Sequence, residues 1–75
     1  MYITKEINGY DVSMESGDET YIGDVKHVKL TVYVQTEALS CEKRWKYAKV
    51  NDIKKNGGFR KYLLGFAEEV VNSIN

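Results

Sequence analysis

Lys43, Arg44, Lys46, Lys49, Lys54, Lys55, Arg60 and Lys61 are interleaved with Trp45, Tyr47, Phe59 and Tyr62 in one short stretch of the chain. Cations neutralise phosphates and aromatic rings stack on unpaired bases, the combination that binders of single-stranded and structured RNA use. Lys43, Arg44, Trp45, Lys46, Tyr47, Lys49, Lys54, Lys55, Arg60 and Lys61 are therefore the candidate contacts to RNA or another nucleic acid. Formal net charge is zero, but residues 43–62 carry eight Lys or Arg against Asp52 alone, whereas residues 1–42 carry three Lys against eight acids. A chain polarised in this way attracts an anionic partner despite its balanced total. The competing explanation is structural: Trp45 and Phe59 belong to the core, and the lysines serve solubility or pair with the acidic N-terminal half.

Other chemistry is thinly represented. The chain has one Cys and one His, so Cys41 with His27 is the sole nucleophile and base dyad it can offer, and no spacing places them together. No Cys and His pattern approaches a tetrahedral metal site. The acids Asp11, Glu15, Asp18, Glu19 and Asp24 lack the ligand spacing of a calcium loop and read as a solvated face. Gly57 and Gly58 before a helix, flanked by Lys54, Lys55, Arg60 and Lys61, suit a phosphate contact but not a nucleotide P-loop. The expectation is a non-enzymatic binding module without metal or cofactor.

These residues must be positioned by a sheet and a helix. Phe59, Leu63, Phe66, Val70 and Ile74 recur at helical spacing with Tyr62 and Ala67 beside them, and Arg60, Lys61, Glu68, Glu69, Asn72 and Ser73 fall on the opposite side. Asn56, Gly57 and Gly58 mark the start of that helix. Tyr2–Ile7 and Tyr10–Glu15 flank Asn8-Gly9, the strongest short-range hairpin signal. Pairing Ile7 with Tyr10, Lys5 with Val12 and Ile3 with Met14 collects the apolar residues on one face, with Lys5 the only polar one among them. Ser16–Glu19 reads as a polar turn, and the stretch from Tyr21 to Thr36 reads either as one bent strand or as a hairpin turning at Gly23-Asp24. Val28, Leu30, Val32 and Val34 alternate with Lys29, Thr31, Tyr33 and Gln35, as in a central strand whose aliphatic row is the floor for the helix.

Glu37–Glu42 reads as a connection. Trp45 and Tyr47 at alternate positions favour a strand over residues 43–50, although Ala38, Cys41, Trp45 and Ala48 also fit one helical face. Asn51 is placed to cap a single helical turn over Asp52–Lys55. The expected fold is α+β: one domain over residues 1–75, with a small, twisted, mainly antiparallel sheet of three to five strands and one C-terminal helix packed on one face. A single Cys makes no internal disulfide, Met1–Asn8 lacks the apolar core of a signal peptide, and the apolar runs are far too short to span a bilayer. A cytoplasmic protein is expected, not a membrane one.

Three strands followed by a helix with basic residues at its start resemble, in layout only, the latter part of a double-stranded-RNA-binding domain, whose first helix and sequence motifs this chain lacks. In size and composition, without Pro, the chain is also similar to accessory proteins of phages and mobile elements, which act by occupying a host or toxin surface. Two readings follow. The first is an RNA-binding module gripping through residues 43–62. The second is an inhibitory or regulatory protein that binds a host or toxin protein through its acidic hairpin face or an open strand edge. A homodimer formed by a sheet edge, or by a helix flank at Leu64 and Val71, is a further expectation.

Overall fold

The computed structural model describes residues 1–74. Four strands form one antiparallel sheet in the order β1-β2-β3-β4: β1 (Tyr2–Ile7), β2 (Tyr10–Ile22), β3 (Val25–Glu37) and β4 (Ser40–Lys49). Two helices follow, α1 (Val50–Lys55) and α2 (Phe59–Ile74). The first hairpin has the register that Asn8-Gly9 imposes, with Ile7 opposite Tyr10, Lys5 opposite Val12 and Ile3 opposite Met14. Both turn residues adopt positive φ, 51° at Asn8 and 84° at Gly9, as a type I′ turn requires.

Ser16–Glu19 is not a turn. β2 runs through it, and the pairing moves from Ser16 opposite Leu30 to Glu19 opposite Val28, so Gly17 and Asp18 together face Lys29. This is a β-bulge: the flanking residues keep their partners on β3, and the extra residue is absorbed without reversing the chain. The reversal comes at Gly23-Asp24, which resolves the alternatives for residues 21–36 in favour of a hairpin. Nor is Glu37–Glu42 a connection as a whole, because Ser40 already pairs with Glu37 and only Ala38 and Leu39 lie between the strands.

Val28, Leu30, Val32 and Val34 are at most 1% exposed and share one buried cluster with Leu63, Phe66 and Val70, against which Phe59 packs. α2 also lies against β1 and β2, burying Ile3, Val12 and Met14. Covering three strands demands a broader apolar stripe than one row of β3 would. Val71 is consequently fully buried and is not a flank free for a second chain, and Leu64 is half-buried.

α1 continues directly from β4. Its N-cap is Lys49 rather than Asn51, without a side-chain cap bond, and Ile53 is fully buried as its contribution to the core. The α1 end is closed by a Schellman pair: Gly57 N donates to Lys54 O at 3.4 Å and Gly58 N to Ile53 O at 2.9 Å. Gly57 occupies the left-handed position at φ 95°, and Gly58 O accepts from Tyr62 N at 3.0 Å to begin the α2 ladder. Two helices thus meet with no spare residue, which fixes where Arg60 and Lys61 leave the surface.

Candidate functional site

Strand alternation divides the candidate residues between the two faces of the sheet. Val28, Leu30, Val32 and Val34 on the helix-covered face pair with Ala48, Lys46, Arg44 and Glu42. The intervening residues Lys29, Thr31, Tyr33 and Gln35 pair with Tyr47, Trp45, Lys43 and Cys41, and this second face is crossed by neither helix. Lys43, Trp45, Tyr47 and Lys49 therefore project from the open face, while Arg44 and Lys46 project from the other.

β4 inverts the usual polarity of a half-buried strand. Its open side carries Trp45 and Tyr47, 55% and 45% exposed, and its helix side carries Glu42, Arg44 and Lys46. The cause lies in the coverage. α2 rests on β1, β2 and β3, and α1 reaches β4 near its end, where Ala48 is buried. Arg44 is left to pair with Glu42 at 2.8 Å. Lys46 lays its ammonium 4.5 Å from the Phe66 ring centre and 5.2 Å from that of Tyr62, closing the rim of the core.

On the open face the rings and cations touch one another. Trp45 and Tyr47 meet edge to face, with centroids 5.9 Å apart and planes at 85°. Lys29 Nζ stands 4.8 Å from the indole centre, and Lys43 Nζ stands 5.7 Å from the Tyr33 ring. Thr31, between Glu15 and Trp45 in its cross-strand row, is only 6% exposed although no helix covers it. Tyr33 donates its hydroxyl to Glu15 Oε1 at 3.3 Å, and its pKa is raised by partial desolvation of the ring and by the neighbouring Glu15 carboxylate. Toward β1 and β2 the same face turns acidic at Glu6, Asp11 and Glu15. The electropositive half is thus the strip over β3 and β4.

Lys29 and Tyr33 belong to this cluster although they lie outside residues 43–62, and His27 sits opposite Lys49 at its end. Their signal in the sequence was the polar row of β3. Joining it to Trp45 and Tyr47 needed the β3-β4 register, which no turn residue announces at Ala38-Leu39.

Lys54, Lys55, Arg60 and Lys61 are all exposed, on the helical layer rather than the open face. The dipole argument separates them. Lys54 and Lys55 lie in the last turn of α1, where cations are favourable, and Arg60 and Lys61 lie in the first turn of α2, which has no acid to offset them. A shallow groove of about 420 Å³ beside them is lined by Lys46, Lys61, Tyr62 and Phe66, with Glu69 opposing any bound anion. Phe59 and Tyr62 are half-buried and serve the core.

Cys41 pairs with Gln35 and His27 with Lys49, eight positions apart along β3 and so roughly 27 Å distant. The dyad is not brought together. His27 Nδ1 lies 2.8 Å from Val25 O, and Glu19 of the acidic group is engaged with Lys26 at 3.1 Å. Among the described residues, no group of three His, Cys, Asp or Glu is placed to hold a metal ion. Within the same residues, no helix is long and apolar enough to cross a membrane. No family model matches the chain, and no curated protein or solved structure is significantly similar to it.

Proposed function

We propose that this chain is a non-enzymatic module that binds RNA or another nucleic acid, with β4 as its principal contact. The observation that carries the reading is the inverted polarity of β4: Trp45 and Tyr47 face water among Lys29, Lys43 and Lys49. Exposed single apolar residues need no explanation, but two large adjacent rings ringed by cations form a patch with a specific complement. Phosphate supplies the charge that the cations lack, and bases supply the flat surface that the rings lack. Arg44, Lys46 and the cations of α1 and α2 extend the electropositive field around the β4 edge.

The test is the salt dependence of binding to labelled RNA and DNA. A complex made by several Lys and Arg should weaken steeply between low and moderate salt. Replacing Lys54, Lys55, Arg60 and Lys61 together by Gln should lower that slope if the helical layer contributes. Absence of measurable affinity at low salt, for RNA and DNA alike, sinks the reading.

A second reading rests on a different observation. Tyr21, Ile22 and Val25, at the tip of the β2-β3 hairpin, are 66%, 49% and 41% exposed, and β1 is an open sheet edge. Both suit a protein partner, including a host or toxin protein held inhibited or a second copy of this chain. Pull-down from a lysate with and without nuclease separates the two readings, because a partner bridged by RNA is lost on nuclease treatment.

A further inference from the structure

We infer that the open face binds unpaired bases, so that the nucleic-acid partner is a single strand or an unpaired loop and not a duplex. This deepens the function proposed above and rests on it. Trp45 and Tyr47, two residues apart on one face of β4, present rings with centroids 5.9 Å apart and planes at 85°, so they offer two separate, mutually perpendicular surfaces. A base stacked on one ring lies nearly perpendicular to a base stacked on the other, an arrangement that splayed single-stranded bases can take and a continuous base stack cannot.

Such bases must be unpaired. In a duplex both faces of a base are covered by its neighbours, and extruding it costs a few kcal/mol. Lys29 Nζ stands 4.8 Å from the centre of the indole while Trp45 as a residue stays 55% exposed, which leaves surface for a base and sets a cation beside it for the phosphate. Lys43 and Lys49 lie two residues beyond the rings on either side along the same face, placed for the flanking phosphates. Glu6, Asp11 and Glu15 repel the strand from the β1-β2 half and so confine it to β3 and β4.

The chain has one Trp, so its emission reports on Trp45 alone. The experiment titrates the protein at low salt with a single-stranded oligouridylate of about a dozen nucleotides, and separately with an RNA duplex of the same length. Trp emission and the anisotropy of an end label are followed together. Quenching that saturates together with the anisotropy, and single-strand affinity at least about tenfold above that of the duplex, are expected. Trp45→Ala should weaken single-strand binding about 5- to 150-fold, and Trp45→Phe should recover part of the loss. A circular dichroism spectrum of each variant establishes that it is folded. Binding without any change in Trp emission, or duplex binding as tight as single-strand binding, overturns this inference while the nucleic-acid reading stands. No binding of either probe overturns this inference, and if single-stranded and duplex DNA also fail to bind, the nucleic-acid reading falls with it and a protein is left as the occupant of the face.

Discussion

The two faces of one sheet follow different rules. On the covered face of β3, Val28, Leu30, Val32 and Val34 are sealed beneath α2, and on the open face Lys29 and Tyr33 are half-exposed. β4 reverses the assignment, with charges on the helix side and rings toward water. What separates the strands is only which of them the helices reach. On β4 the helical layer takes up only Ala48 and the stem of Lys46, and the rings of Trp45 and Tyr47 stay in water.

The largest effect expected is from Val32→Asp. An unpaired carboxylate at a fully buried site costs several kcal/mol, against a total stability of roughly 4–11 kcal/mol for a domain of this size. The variant should show no cooperative thermal transition by circular dichroism. A folded variant would mean that the covered face is not the core.

Leu63→Ala comes next, with an expected loss of about 2–5 kcal/mol from a fully buried position, read from denaturant midpoints. Retention of wild-type stability would show that α2 is dispensable to the sheet. Smaller again, replacing Arg60 and Lys61 by Gln should raise stability by a few tenths of a kcal/mol each, because both oppose the α2 dipole. Lys54 and Lys55 should behave oppositely, and their replacement by Gln should lower it slightly. A common sign for both pairs would remove the dipole distinction between them.

The smallest effect concerns pH. The Lys26 pKa is raised by its hydrogen bond and charge pairing with Glu19, and that of Tyr33 by desolvation and Glu15. Both groups hold their protons more tightly folded than unfolded. Their contribution is complete below their ordinary values near 10 and is lost as pH rises through the raised folded values. The melting temperature should therefore fall slightly more steeply above pH 10 in the wild type than in a Lys26→Met, Tyr33→Phe variant. Identical alkaline limbs would contradict this linkage.

The legible parts of this molecule were those with local chemistry. Asn8-Gly9 fixed a register because both residues accept positive φ, and the three- and four-residue spacing from Phe59 to Ile74 delimited α2. The β3-β4 turn was hidden because Ala38 and Leu39 carry no turn chemistry, and Leu39 is fully exposed where an apolar residue signals burial. Gly17-Asp18 misled in the other direction, since turn residues also serve a bulge. β4 was ambiguous for a physical reason. The alternation of Trp45 and Tyr47 pointed to the strand that β4 is, while Ala38, Cys41, Trp45 and Ala48 also fitted a helical spacing, and neither pattern says which face the helices cover.

The candidate site was half legible. Composition located the cations and rings of residues 43–62, yet only the pairing of β3 with β4 separates Lys43, Trp45, Tyr47 and Lys49 from Arg44 and Lys46 and adds Lys29 and Tyr33. A linear segment became two faces.

The most direct test of the central claim is the double variant Trp45→Ala, Tyr47→Ala, measured for both unfolding free energy and affinity for a single-stranded oligonucleotide. Exposed positions away from the core contribute little to stability, so a loss below about 1 kcal/mol is predicted together with near abolition of binding. A loss comparable to that of Leu63→Ala, or unchanged binding by a folded variant, would show that the rings belong to the fold and that the open face is not where the partner sits.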